Sequence, residues 1–162
     1  MLSILIPTYN HNVYPLVTSL DRELKTLDIA YEILVFDDGS TDILPDNEKI
    51  ISYKNTSFRK LNQNIGRSAI RKQLAENATY TTLLFLDADV TPVATSFIAT
   101  YVDTIKTQDP EVVFGGIAYA EEKPPVEERL RWEYGRNREV QNVVTRQKKP
   151  HFVITQNVLI IF

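Results

Sequence analysis

Short runs of apolar residues alternate along the chain with segments whose apolar positions recur every three or four residues. Residues 2–6 form such a run, closed by the polar sequence Pro7-Thr8-Tyr9-Asn10. Across 13–27, Val13, Leu16, Val17, Leu20, Leu24 and Leu27 share one helical face. A second strand is predicted over 32–36, ended by Asp37-Asp38-Gly39-Ser40, a turn and cap sequence. Residues 50–53 predict a short third strand, 66–77 a helix with Ile70 and Leu74 on one face, and 82–86 a further strand. Thr91-Pro92 reads as the N-cap and first position of a helix reaching about Gln108. A strand over 111–120 carrying Gly115-Gly116, a charged helix over about 126–140 and a closing strand over 152–162 complete the pattern. Strands separated by helices predict an α/β fold, a mostly parallel sheet flanked by helices.

Three of these strands end in polar clusters: Pro7-Thr8-Tyr9-Asn10, Asp37-Asp38 and Asp87-Ala88-Asp89. In a parallel sheet the carboxyl ends of neighbouring strands lie along one edge, where ligands bind. Residues distant in sequence are therefore expected in one cleft. Asp87 and Asp89 alternate across an extended strand, so one can face an organic ligand while the other reaches a metal. Their oxygens suit Mg²⁺ or Mn²⁺. A lone Asp-x-Asp is also a plain turn former. Asp37 and Asp38 can accept a hydrogen bond from a base or cap the following helix, and Tyr9 can stack on a base or pack in the core. Asn64, Gly66, Arg67 and Arg71 surround a helix start, a setting that favours phosphate.

Composition narrows the classes. The 162 residues suit one domain, and 43% hydrophobic with 24% charged residues is ordinary for a soluble globular chain. A net charge of −3 gives no footing for nucleic-acid binding. The absence of cysteine excludes disulfides and thiolate metal sites, and two histidines argue against a histidine-rich zinc site. A reducing, cytoplasmic location is expected.

The segments "SILIPTYN", "EILVFDDGSTD", "NIGRSAIRKQL", "LLFLDADV" and "FVITQNVLIIF" together resemble the family-two glycosyltransferases, which have the GT-A fold, a Rossmann-like nucleotide-diphospho-sugar transferase architecture. The resemblance spans essentially the whole chain and rests on the order and spacing of the motifs. It implies that Pro7 and Tyr9 line a nucleobase pocket, that Asp38 binds the base and that Asp87 meets the ribose or sugar. It further implies that Asn64, Gly66 and Arg71 contribute to the nucleotide-sugar site and that Asp89 binds Mn²⁺ or Mg²⁺. Asn157 matches a family asparagine. The implied donor is a nucleotide-diphosphate sugar such as a UDP-sugar, and the acceptor a saccharide or lipid-linked hydroxyl, attacked with inversion in polysaccharide or glycoconjugate synthesis.

Two positions depart from the family pattern. Ile70-Arg71-Lys72 stands where Ala-Arg-Asn is common. The family's general base follows the strand on which this chain ends, so residues 1–162 are expected to be the donor-binding part of one longer catalytic domain, with the base beyond Phe162. Donor binding without efficient transfer is the matching expectation, and a noncatalytic nucleotide-sugar-binding domain is the alternative. Asp87-Ala88-Asp89-Val90-Thr91 also resembles the nucleophile motif of haloacid-dehalogenase-type phosphatases, with Asp87 as nucleophile, and the strand-end acids resemble a receiver module. Between Arg129 and Lys149, seven Lys and Arg residues with Trp132 and Tyr134 interleaved suggest either a surface for anionic acceptors or membrane headgroups, hence peripheral contact at the inner face of a membrane, or a solvated helix with internal ion pairs.

Overall fold

The computed structural model describes residues 1–149, 151 and 153–162, which build a six-stranded sheet between helices. The chain runs β1 (Leu2–Thr8), α1 (Tyr14–Leu24), β2 (Tyr31–Asp37), α2 (Pro45–Lys49), β3 (Thr56–Lys60), α3 (Arg67–Glu76), β4 (Thr82–Leu86), α4 (Phe97–Gln108), β5 (Val112–Phe114), α5 (Arg129–Arg138), α6 (Val143–Gln147) and β6 (Asn157–Ile161). The strand order is β3-β2-β1-β4-β6-β5. β1 runs parallel to β2 and β4, and β2 parallel to β3, whereas β6 is antiparallel to both β4 and β5.

The central strands read as unbroken apolar runs because both faces of the sheet are covered. Leu2, Ile4 and Ile6 of β1, with Ile33 and Val35 of β2 and Leu84 and Leu86 of β4, pack on one face against Leu16, Val17 and Leu20 of α1 and Ile98 and Tyr101 of α4. The alternate residues Leu5, Leu34, Phe36, Leu83 and Phe85 pack on the other against Ile70 and Leu74 of α3. Each such side chain, taken fully out of water, contributes about 1.5–3 kcal/mol. Ser3 is one buried polar exception. Its hydroxyl donates to Glu32 Oε1 at 2.5 Å and accepts the Tyr80 N–H, while Glu32 also takes the Thr79 N–H. These bonds tie the lower ends of β1, β2 and β4 together.

Four expectations are corrected. Residues 50–52 form a single 3₁₀ turn continuing α2, not a strand. The third strand is 56–60, reached after Asn55 turns the chain at φ 63°. It lies at the sheet edge, so its burial is partial and its sequence polar. Thr91 and Pro92 do not start α4, which begins five residues later. Nothing packs on Val93, which is 85% exposed, and the helix starts where Ile98 and Tyr101 enter the core. One of its N-terminal donors is met from another element, since Glu23 Oε1 of α1 accepts the Ala99 N–H at 2.9 Å. The strand expected over 111–120 stops at Phe114, and the closing strand starts at Asn157. The Phe152 portion of that last expectation lies outside the described residues.

Gly115, just after β5, is a glycine for a steric reason. A Cβ there would overlap the hydroxyl of buried Tyr101 and stand 2.6 Å from Asn157 Nδ2. These two groups hold each other, with Tyr101 donating to Asn157 Oδ1, and burial pushes the Tyr101 phenol well above its ordinary value. We predict that Gly115→Ala lowers stability by about 1–3 kcal/mol, read as a fall in the urea midpoint with an unchanged slope. No change in midpoint would show that Tyr101 and Asn157 yield freely.

Candidate functional site

β2 and β3 lie on one side of β1 and β4 on the other. The connections therefore diverge at β1, and a crevice opens beyond the carboxyl ends of β1 and β4, the usual ligand position in such sheets. A cleft of about 400 Å³ occupies this place, lined by Pro7, Thr8, Tyr9, Asn10, His11, Asp38, Asn64, Gly66, Arg67, Ile70, Asp87, Ala88 and Asp89. The structure thus gathers the three strand-end clusters and the start of α3 around one cavity. Of the residues expected there, Pro7, Tyr9, Asp38, Asn64, Gly66, Asp87 and Asp89 line it. Arg71 is not part of the lining and reaches the cleft through Asp87.

The two acids after β2 have different tasks. Asp37 Oδ1 accepts the Ser40 N–H at 2.7 Å, the turn-capping role. Asp38 reaches across to α3. Its Oδ1 accepts the Ile65 N–H at 2.7 Å and its Oδ2 the Gly66 N–H at 3.0 Å. Asp38 is buried, so these bonds supply the compensation that a desolvated carboxylate needs. They also fix the loop before α3 against β2. Gly39 makes the close approach possible. It adopts φ 72°, and a Cβ on it would lie 2.6 Å from the carbonyl carbon of Gln63 and 2.8 Å from the nitrogen of Asn64. Backbone cannot step aside as a side chain can. Gly39→Ala is therefore expected to cost about 2–4 kcal/mol from left-handed strain and overlap together. Thermal unfolding of the variant checks this, and a wild-type melting temperature would contradict it.

The loop after β1 is held just as firmly. Asn10 sits at φ 48°, and its Oδ1 accepts the N–H groups of Thr41 at 2.8 Å and Asp42 at 3.2 Å. Its own N–H donates to Ser40 Oγ at 2.7 Å. Buried Asn47 of α2 completes the arrangement, accepting the Val13 N–H and donating to the His11 carbonyl, each at 2.9 Å. Tyr9 is thereby held next to Asp38, with 48% of its surface exposed for a ligand. Sequence reasoning had not assigned Asn10 a role. The signal was an asparagine in a strand-ending turn, a residue that tolerates φ > 0 and bonds nearby backbone.

Asp87 and Asp89 are as unlike as their alternation suggests. Asp87 Oδ2 accepts from Arg67 Nη2 at 2.8 Å, and its Oδ1 accepts a short bond from Arg71 Nη2. Both arginine nitrogens also bind the segment entering β6, Arg67 at Thr155 Oγ1 and Arg71 at the Thr155 carbonyl. Asp89 is exposed and has no ion-pair partner among the described residues. No group of three His, Asp or Glu residues placed to hold a metal occurs among the described residues. An exposed carboxylate beside a cavity does fit a cation that takes one protein oxygen and completes its shell from water and phosphate.

Asn157 stands away from the cleft lining, bonded to Tyr101 and to the Gly116 carbonyl. In the basic segment, Arg131 binds Glu139 through two bonds of 2.9 and 3.0 Å, Arg136 stacks over Trp132 and Arg146 over Phe114. Partial burial would raise the Glu139 carboxyl, but the bonds from Arg131 and Tyr119 outweigh it and hold it below its ordinary value. Burial and the Glu139 contact push the Tyr119 phenol up to about 12. Arg131, Arg136 and Arg146 are thus engaged within the chain. No described helix is long and apolar enough to cross a membrane.

Solved structures share this architecture. TarS residues 1–349 from S. aureus superimpose with a TM-score of 0.55 at 23% identity, over 75% of this chain and 39% of that one. The same fragment in complex with UDP-GlcNAc gives 0.56 at 24% identity, over 75% and 37%. The mannosyltransferase PcManGT from Pyrobaculum calidifontis, in complex with GDP-Man and Mn²⁺, gives 0.57 at 20% identity, over 70% and 34%. The chain therefore spans between about a third and two fifths of the length of these structures. No curated protein matches the sequence significantly. The sequence pattern of the family described as Glycosyl transferase family 2 matches residues 3–161, nearly the whole chain with the strand-end clusters that build the cleft, and the chain belongs to that family, with its GT-A fold.

Proposed function

We infer that the chain binds a nucleotide-diphosphate sugar together with Mn²⁺ or Mg²⁺, as the donor-binding part of an inverting glycosyltransferase acting on an acceptor hydroxyl. The observation that carries this reading is the division of labour in Asp87-Ala88-Asp89: one carboxylate clasped by two arginines and one left exposed on the same cavity. Tyr9 offers a face on which a base can stack, and the loops tied by Asn10 and Asp38 keep the pocket open at a fixed width. Asp38 uses one lone pair of each oxygen on backbone, so further acceptor capacity is left for a base N–H. Asp87, held rigid, can accept from a ribose or sugar hydroxyl. Asp89 holds the cation. When bound, the cation supplies Lewis-acid neutralisation of the diphosphate leaving group. The neighbours solved with UDP-GlcNAc and with GDP-Man and Mn²⁺ support the ligand class. Asp38, Asp87 and Asp89 each have a task in this arrangement, so the base that takes the acceptor proton is proposed to be none of these three carboxylates.

The test is a thermal-shift panel of UDP- and GDP-sugars, each with and without Mn²⁺. A donor at about 100 times its Kd should stabilise the protein by about 2.7 kcal/mol. Asp89→Asn should remove the Mn²⁺-dependent part of that gain while leaving the ligand-free melting temperature within about 2 °C, as for an exposed substitution. Absence of any shift across the panel would sink the reading.

A further inference from the structure

We propose that Arg67 reads the diphosphate of the donor, distinguishing a nucleoside diphosphate from a monophosphate. This rests on the donor-cleft reading and adds which residue meets which part of the ligand. Arg67 opens α3, lines the cleft, and its side chain is 60% exposed. Its contacts converge on one nitrogen. Nη2 donates to Asp87 Oδ2 at 2.8 Å and to Thr155 Oγ1 at 3.3 Å, and no other hydrogen bond of this side chain occurs among the described residues. The N–H groups of Nη1 and Nε therefore keep their donor capacity. Arg71 is the contrast: its side chain is 15% exposed, it does not line the cleft, and it is occupied by Asp87 and the Thr155 carbonyl.

The charges point to the same ligand group. One carboxylate between two guanidinium groups leaves a positive charge in excess on that wall of the cavity. A base or sugar offers only neutral groups to such a wall, whereas a phosphate offers two anionic oxygens matched to the planar fork of arginine. Bidentate pairing uses Nη2 together with Nη1 or Nε, so the nitrogen that would complete the fork on a phosphate is also the one held by Thr155. Its bond to the Thr155 hydroxyl is the longest of the clasp, so it is the bond that yields when Arg67 engages the ligand. Arg67 thus links donor occupancy to the segment entering β6.

Calorimetric titration of UDP against UMP and GDP against GMP, with Mn²⁺, tests this in the wild type and in Arg67→Met, Arg67→Lys and Thr155→Val. For whichever pair binds, Arg67→Met should lower the diphosphate-to-monophosphate affinity ratio about tenfold or more, the worth of a charge-assisted contact. Arg67→Lys should restore part of the ratio. Thr155→Val should leave diphosphate affinity equal or tighter. An unchanged ratio in Arg67→Met, whether both affinities fall together or neither does, would overturn the inference while leaving the donor cleft intact. Weaker diphosphate binding in Thr155→Val would show that the Thr155 contact supports the ligand and would overturn the exchange. Wild-type protein that binds neither diphosphate would overturn the donor reading and this inference with it.

Discussion

Replacing Asp38 with alanine should lower folding stability by about 3–5 kcal/mol and abolish donor binding. The carboxylate is buried and receives two backbone N–H groups, from Ile65 and Gly66. Each hydrogen bond to a charged group contributes about 1.5–3 kcal/mol, and its removal strands a donor that had only this partner in the described structure. Water reaching the vacated space offsets part of the sum, which sets the upper bound near 5 rather than 6 kcal/mol. Asp38→Asn should cost less, about 2 kcal/mol, because the amide oxygen still accepts one N–H while the amide nitrogen faces the other. Guanidinium titration of both variants checks the order. Equal costs for the two, or a loss below about 1 kcal/mol for alanine, would mean that the loop before α3 is not held by this carboxylate.

The second large effect is expected at Asp87. Alanine there leaves two guanidinium groups facing one another, with Arg71 largely out of water. Breaking a buried pair by removing one partner costs about 3–5 kcal/mol. Arg67 is mostly exposed and adds little to that figure, so about 2–4 kcal/mol is expected for Asp87→Ala. Adding Arg71→Met should recover part of the loss, because the orphaned charge goes with it, giving a coupling of about 1–3 kcal/mol in a double-mutant cycle. Since both arginines also bind Thr155, hydrogen exchange around residues 155–157 should quicken in Asp87→Ala. Additive single effects and unchanged exchange would contradict the clasp.

The central strands could be read in the sequence because both of their faces are buried. An unbroken apolar run such as residues 83–86 has no other stable home in a chain of this composition. β3 could not be read in the same way. It sits at the edge, buries little, and carries Ser57, Arg59 and Lys60. The apolar pair Ile50-Ile51 drew the expectation instead, though only Ile50 is buried. The start of α4 was missed because its N-terminal donor is met by Glu23, a residue 76 positions away. No local rule carries such a partner.

The cleft was legible to the extent that parallel topology alone brings strand ends together. That argument places Tyr9, Asp38, Asp87 and Asp89 on one rim without knowledge of any side chain. What it could not supply was the partner of each group. Asp87 has the same sequence signature as Asp89, but Arg67 and Arg71, twenty and sixteen residues before it, engage it. Asp38 reads as a helix cap or base acceptor, and the structure shows it bridging to backbone 27 and 28 residues ahead.

The central proposal is that a divalent cation and a nucleoside diphosphate share the cleft at the carboxyl ends of β1 and β4, with the cation at Asp89. Amide NMR spectra of the protein with UDP or GDP and trace Mn²⁺ test it directly, because the paramagnetic ion broadens only nearby signals. Broadening should be strongest at residues 87–90, weaker at Tyr9, Asp38 and Gly66, dependent on the diphosphate, and lost in Asp89→Asn. Broadening centred elsewhere, or at residues 87–90 to the same degree in Asp89→Asn, would contradict it.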